Sequence, residues 1–196
     1  MPLWGATDSD ESKPKFLTDE QKKLVYATKS GWVLENGALT GNDNPNADPE
    51  ILVAIGELAT SIGSADITEI EFISTAFDVS AGGTIQVRAR FNEEVDVDTS
   101  GGVPFLAITN GNQGTGSGRG PHNAAYSSGT GTNELVFAIT IGAAAGSIAA
   151  DDVLVVGANA INLNSGTIKD AGTSTNSTIT NSSAIGTAAG SVTVAA

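Results

Sequence analysis

The chain has few side chains that could do covalent or redox chemistry. Its 196 residues include no cysteine and one histidine, His122, which excludes disulfides, thiolate metal sites and cysteine nucleophiles. A Ser-His-Asp triad would have to use His122, yet no Gly-x-Ser-x-Gly turn exposes a serine. Glycosidase chemistry needs only two carboxylates, but no spacing among the 22 acidic residues selects a pair. We therefore predict no catalytic residues and no enzymatic activity.

Two acidic stretches, residues 42–48 and 92–98, could offer oxygen ligands to calcium. A recognisable calcium loop carries carboxylates at positions one, three and five, a glycine at six and a glutamate at twelve. Counted from Asn44, the sixth position is Pro49 and the twelfth is Ile55. The sequence therefore predicts no metal and no cofactor, and leaves open whether either stretch binds calcium.

A glycine-rich stretch, Asn110-Gly-Asn-Gln-Gly-Thr-Gly-Ser-Gly-Arg-Gly120, invites comparison with phosphate-binding loops. Such loops need a Gly-Lys-Ser/Thr sequence, or a dinucleotide fingerprint, leading into a helix. Pro121 follows instead. The stretch is typical of a connection between strands, and Arg119, its one charged residue, could dock on an acidic neighbour.

The net charge of −13 lies almost entirely outside the first 35 residues. Residues 1–35 hold five Lys against six acids, whereas residues 36–196 hold four Lys or Arg against sixteen acids. Such a surface repels phosphate backbones, so we predict no nucleic-acid partner. No apolar run approaches the ~20 residues that span a bilayer, and the first eight residues lack the features of a signal peptide. We expect a chain made in the cytoplasm with no membrane partner.

Residues 1–64 differ from the rest and are predicted to be an extended N-terminal arm. Thr18 and Gln21 form a capping box, which predicts a short helix over residues 18–29. The Asn36-Gly37 dipeptide predicts a hairpin over residues 31–40, and the apolar run at residues 51–55 predicts a strand.

The large side chains of this arm are the candidate site. We expect a segment so poor in apolar residues to be unable to bury these large side chains. They would instead insert into a partner protein, since aromatic residues concentrate binding energy in interfaces. The predicted partner-binding residues are Leu3, Trp4, Phe16, Leu17, Tyr26 and Trp32.

Residues 65–196 carry short strands with turn signals every eight to fifteen residues. In residues 84–91, Ile85, Val87, Ala89 and Phe91 alternate with Gln86, Arg88 and Arg90, which places the apolar set inward and the polar set outward. Residues 123–141 have the pattern of a hairpin, with Ser127 to Asn133 as its turn. Further strands are expected at residues 67–74, 105–109, 153–156, 160–163 and 191–195. This spacing favours an all-β fold, an immunoglobulin-like β-sandwich, with a jelly roll as the alternative.

Four ordered blocks resemble the immunoglobulin-like or cadherin-like repeats of large bacterial surface adhesins. They begin with Thr84-Ile-Gln-Val-Arg-Ala-Arg-Phe-Asn-Glu-Glu-Val-Asp-Val97 and continue through Val103-Pro-Phe-Leu-Ala-Ile108, Ala124-Ala-Tyr-Ser-Ser-Gly-Thr-Gly-Thr-Asn-Glu-Leu-Val-Phe137 and Leu163-Asn-Ser-Gly-Thr-Ile-Lys-Asp-Ala-Gly172. The resemblance implies an immunoglobulin-like domain at residues 65–196. It implies no particular function, since such modules occur on many surfaces.

The N-terminal stretches Met1-Pro-Leu-Trp-Gly5, Lys13-Pro-Lys-Phe-Leu17 and Gly31-Trp-Val33 resemble the start of virion structural proteins from contractile-tailed phages of marine cyanobacteria. Together the two resemblances imply a virion protein, a capsid decoration protein in particular. Its arm, residues 1–64, would anchor it to the particle. The implied partners are the major capsid protein or other virion proteins, further copies of the chain and host-surface glycans. A tail, neck or baseplate protein, or a cell-surface adhesion or carbohydrate-binding module, is the alternative.

Overall fold

The structure, a computed structural model, describes residues 13–36, 38, 44, 48–111 and 119–196. Within these ranges the chain forms twelve strands and two short helices, α1 (Asp19–Lys23) and α2 (Ser183–Ala188). Neither helix is long and apolar enough to cross a membrane. The strands are β1 (Val25–Thr28), β2 (Gly31–Leu34), β3 (Glu50–Ala54), β4 (Ile67–Phe72), β5 (Phe77–Asp78), β6 (Gly83–Asp98), β7 (Phe105–Gly111), β8 (His122–Ser128), β9 (Thr132–Ile141), β10 (Val153–Asn162), β11 (Thr167–Asp170) and β12 (Ser191–Ala195).

One mixed sheet contains all of these strands, in the order β3-β2-β1-β6-β9-β8-β7-β10-β12-β5. Strands β4 and β11 also pair with β6, along the edge opposite β9. The strands from β4 to β12 enclose a single large apolar core. The prediction of an all-β, sandwich-like fold is therefore confirmed.

Strand β6, 16 residues long, organises the molecule. The predicted inward face is confirmed, because Ile85, Val87, Ala89 and Phe91 are all buried. The hairpin β8–β9 pairs as its alternation predicts. Its strands run further than expected, so residues 129–131 alone form the turn.

The two strands predicted at residues 153–156 and 160–163 are one strand, β10, interrupted by an irregularity. Its pairing with β7 shifts between Val156 and Ile161. Asn181, which is buried, satisfies the backbone there: its Oδ1 accepts from Ala160 N and its Nδ2 donates to Gly157 O, both at 2.8 Å. The sequence around Gly157 is typical of a turn. Asn181, whose side chain hydrogen-bonds the backbone there, lies more than twenty residues later, so the local sequence does not show that the strand continues.

Helix α2 packs directly on this irregular part of β10, and Gly186 allows the close approach. A Cβ at position 186 would lie 2.6 Å from Gly157 O and 2.7 Å from Val156 O. We expect Gly186→Ala to lower the free energy of unfolding by about 1–3 kcal/mol, because the helix must move off the strand. In an exposed helix the same change would be favourable by about 1 kcal/mol.

Urea unfolding of Gly186→Ala and of the exposed control Thr187→Ala would measure this effect. The control is expected to change stability by less than about 0.5 kcal/mol. A Gly186→Ala variant as stable as the wild type would mean that α2 and β10 do not pack this closely.

Helix α1 begins as predicted and ends earlier than predicted. Thr18 Oγ1 accepts from Gln21 N and Gln21 Oε1 accepts from Thr18 N, which confirms the capping box. The expected continuation to residue 29 is wrong, because residues 25–28 form β1. A β-branched and aromatic stretch is a good strand former, and five helical residues gain little alone.

The hairpin that the structure describes in this region joins β1 to β2, with Lys29 and Ser30 at its turn. Strand β2 also pairs with β3, so the predicted strand at residues 51–55 is confirmed. Asn36 follows β2, and Gly37, the second residue of the predicted turn, lies outside the described residues.

The described part of residues 25–62 is more compact than an extended arm. Side chains from β1, β2 and the 3-10 turn at Leu58–Thr60 form a second, smaller core, which contains Val25, Ala27, Trp32, Leu34, Leu58 and Ile62. Ala27 pairs with Glu93 of β6 in parallel, so this small sheet joins the large one. We call the described residues 13–62 the N-terminal unit and residues 65–196 the body.

Candidate functional site

A cleft of about 880 Å³ lies where the N-terminal unit meets the body. Leu24, Tyr26 and Pro49 supply apolar or aromatic surface from the unit. Charged and amide side chains make up much of the remaining lining, among them Glu35, Arg88, Arg90, Glu94, Asn133 and Glu134. Ionisable groups from several distant segments of the chain come together at this cleft.

The pleat of β6 points Arg88 and Arg90 away from the large core, toward this cleft. Antiparallel pairing places Glu71 of β4 opposite Arg88 and Glu69 opposite Arg90. Opposite charges in such positions attract each other. A shift of register between Ile67 and Glu69 sets this alignment, since a bulge re-aims the side chains that follow it.

Arg90 is the centre of the network. Its Nη1 lies 2.5 Å from Glu69 Oε2, and its Nε donates to Glu134 Oε1 at 2.7 Å. Arg88 binds the same Glu134 at 3.2 Å through Nη1 and forms an ion pair with Glu71. The predicted outward orientation of Arg90 is confirmed by the pairing. The side chain is nevertheless only 9% exposed. Glu35 of the N-terminal unit covers it.

Glu35 connects the unit to the body. Its backbone N–H donates to Leu24 O at 3.0 Å, which holds it beside β1. Its carboxylate accepts from Asn133 Nδ2 at 2.7 Å and lies 3.4 Å from Arg90 Nε. Burial raises the pKa of Glu35 to about 7; the Asn133 hydrogen bond and Arg90 oppose this rise, and the charge of Glu134 adds to it.

The chemistry available at this cleft follows from these groups. Glu35 can gain or lose a proton near neutral pH. Carboxylate, guanidinium and amide groups can also hydrogen-bond a polar ligand. Among the described residues, no group of three or more His, Asp or Glu side chains is placed to hold a metal ion. The acidic stretch at residues 92–98 lies in β6, not in a loop, and of the stretch at residues 42–48 the structure describes only Asn44 and Asp48.

A second polar cluster closes the ends of the glycine-rich connection between β7 and β8. Asp152 is 1% exposed and accepts from Arg119 Nε at 2.8 Å, Arg119 Nη2 at 2.7 Å, Asn110 Nδ2 at 2.8 Å and Ala149 N at 2.9 Å. Burial alone would raise the pKa of Asp152, but these hydrogen bonds hold it below its usual value. The prediction that Arg119 docks on an acidic neighbour is confirmed.

His122 lies beside this cluster and is buried in β8. Burial lowers its pKa, while the charge of Asp152 acts in the opposite direction.

The predicted partner-binding residues fall into three groups. Leu3 and Trp4 lie outside the described residues. Phe16 is 73% exposed, and Leu17 is half-buried against the small core. The expectation that the segment cannot bury its aromatic residues is wrong for Tyr26 and Trp32, which are 5% and 1% exposed.

The burial of Trp32 and Tyr26 has a simple cause. Trp32 lies in the small core, between β1, β3 and the apolar residues of the 3-10 turn, which the sequence alone does not bring together. Tyr26 points instead to the cleft side, where Glu94, Glu35 and Glu134 surround it. Both side chains therefore pack within the chain itself.

Sequence reasoning missed Glu35, Asn133 and Glu134 as site residues. A partial signal was present: Glu69 and Glu71 are spaced two apart, like Arg88 and Arg90 on the next long strand. That pattern predicts an ion-pair ladder on the outer face. The pattern does not predict that Glu35 covers this ladder. Glu35 precedes its hydrogen-bond partner Asn133 by 98 positions.

Comparison with known proteins yields no relative: the chain matches no protein-family model, no curated protein and no solved structure. What the protein does must therefore be inferred from its own residues.

Proposed function

We propose that this protein is a non-enzymatic structural component of a phage particle, in particular a capsid decoration protein. In this proposal the N-terminal residues attach the chain to the particle, and the body, an immunoglobulin-like domain, is displayed outward. The sequence resemblances noted above suggest this role. The described geometry supports it through one feature of the N-terminal unit, the exposure of Phe16.

Phe16 is the observation that carries the proposal. It is 73% exposed and lies just before the capped helix α1, near the start of the described chain. Exposed aromatic side chains of this size are characteristic anchors in protein interfaces. Phe16 follows the segment that contains Leu3 and Trp4, so the three could engage one partner surface together.

The N-terminal unit also has the contacts needed to transmit an attachment to the body. Ala27 pairs with Glu93, and Glu35 bonds to Asn133. The 3-10 turn packs closely on the body, since a Cβ at Gly172 would lie 2.8 Å from Ala59 O. A partner that holds residues 1–17 would therefore orient the body.

Truncation and point substitution test the attachment. A deletion of residues 1–30 would remove β1 and with it the buried Val25 and Ala27. Deletion of residues 1–12 spares every described residue, and Phe16→Ser changes one exposed side chain. We expect the deletion of residues 1–12 and the Phe16→Ser substitution each to lower incorporation of the chain into purified particles at least tenfold.

Quantitative mass spectrometry of purified particles and of the unassembled fraction would measure incorporation. Val103→Ser, which alters another exposed apolar side chain, on the body, is the matched control and should incorporate normally. Normal incorporation of the truncated chain would contradict the attachment. Absence of the full chain from the particles would contradict the role as a virion protein.

A surface carbohydrate-binding module is the second candidate, and the polar cleft favours it. Asn133, Glu134 and Arg88 are side chains of the kind that hydrogen-bond sugar hydroxyls. An aromatic side chain on the body that could stack on a sugar, Tyr126, is instead engaged with Phe137 at a centroid distance of 6.2 Å, and its hydroxyl accepts from Thr130 N. Selective binding on a glycan array that is lost in Glu134→Gln would favour this second function.

A further inference from the structure

Two carboxylates from distant parts of the chain converge on one guanidinium N–H at the contact between the N-terminal unit and the body. Glu134 Oε1 lies 2.7 Å from Arg90 Nε, and Glu35 Oε1 lies 3.4 Å from the same nitrogen. One N–H is donated well to one acceptor at a time, so Glu134 takes this hydrogen bond. Glu35 accepts from Asn133 instead.

We propose that this contact is a pH-dependent latch, in which protonated Glu35 holds the N-terminal unit on the body and ionised Glu35 loosens it. The proposal concerns the chain itself and does not depend on the function proposed above. Its basis is the position of Glu35, whose side chain is 12% exposed and directly bridges the two parts of the molecule.

The charges that face Glu35 come from each element packed against it. Strand β6 contributes Arg88, Arg90 and Glu94; β9 contributes Glu134; β1 contributes Tyr26, which is neutral at physiological pH because burial and these carboxylates raise its pKa; and Asp48 lines the same cleft. Glu69 and Glu71 of β4 bind the same two arginines. Carboxylates therefore outnumber the guanidinium groups at the contact, and removal of one negative charge relieves repulsion.

The direction of the pH effect follows from the pKa of Glu35. It is about 7 when the unit is docked and close to an ordinary glutamate, ~4.3, when the side chain is in water. The docked state binds the proton more tightly, so docking is strongest in mildly acidic solution. It weakens as the pH rises from about 4.3 through 7, and it changes little above about 8.

Hydrogen–deuterium exchange on the full chain tests the latch. We expect the amides of β1 and β2 to lose protection on the order of tenfold between pH 5.5 and pH 8, after correction for intrinsic exchange and relative to β9. Glu35→Gln keeps an oxygen for Asn133 but cannot ionise, and it should retain its pH 5.5 protection at pH 8. Glu50→Gln, an exposed glutamate of the same unit, should keep the wild-type pH response.

Carbon-13 titration of the Glu35 carboxyl in the unmodified chain provides a second measurement that needs no variant. A midpoint between about 6 and 8 would support the latch, and a midpoint below about 5 would overturn it. Protection of β1 and β2 that does not change with pH in the wild type, or that still changes in Glu35→Gln, would overturn it as well.

Discussion

Replacement of Arg90 by alanine is expected to lower the free energy of unfolding by about 3–5 kcal/mol, because it breaks a buried ion-pair network from its centre. Arg90 is 9% exposed and neutralises Glu69 and Glu134, and it also lies near Glu35. Without it, these carboxylates remain together and largely out of water. Urea unfolding at pH 7 followed by circular dichroism would measure the loss.

Arg88→Ala is the matched control for Arg90→Ala, because it removes the same charge from the same face of β6 at a more exposed position. Its side chain is 26% exposed, so water can replace part of the lost contact, and we expect a loss of about 1 kcal/mol. If the two variants are equally stable, Arg90 does not hold the contact between the unit and the body.

Replacement of Arg119 by alanine is expected to cost about 3 kcal/mol at pH 7, because it leaves the buried carboxylate of Asp152 without its cationic partner. Asn110 and Ala149 still donate to Asp152 in this variant, so the carboxylate is only partly satisfied. The exposed control Lys15→Ala should change stability by less than about 0.5 kcal/mol.

The pH dependence of the Arg119→Ala effect is a sharper test than its size. Hydrogen bonds lower the pKa of Asp152 in the folded protein, so its ionised form stabilises the fold above the ordinary value near 3.9. That contribution is lost as the pH falls through the folded pKa. The stability difference between wild type and variant should therefore shrink toward pH 2. A difference that is constant with pH would show that the charge of Asp152 is not involved.

The two polar clusters differ in how far sequence reasoning could reach them. Arg119 is the one charged residue of a polar, glycine-rich connection in an acidic chain, so an acidic partner could be predicted for it. In the structure that partner is Asp152. For Arg90, alternation along β6 indicated the face correctly. Whether that face is exposed depends on whether another part of the chain covers it. The alternation of apolar and polar residues carries no information about this.

The N-terminal segment illustrates the same limit. Its capping box is a local signal, since Thr18 and Gln21 are three residues apart, and it was predicted correctly. The burial of the Trp32 side chain depends on the pairing of three strands and on Leu58 and Ile62, which lie about thirty residues later. The composition of the segment suggested too little apolar surface to bury Trp32. The assembled sheet brings together enough apolar side chains to do so.

The amino-acid sequence was enough to show that the chain has no cysteine and a net charge of −13. It was also enough to predict the all-β class and the core-facing side of the long strands. These properties depend on residue types and on a period of two, so they can be read locally. The tertiary structure alone decided that the N-terminal unit folds onto the body and brings Glu35 to Asn133 and Arg90. Burial and charge at that contact arise from segments about a hundred positions apart, and no local pattern specifies which of them meet.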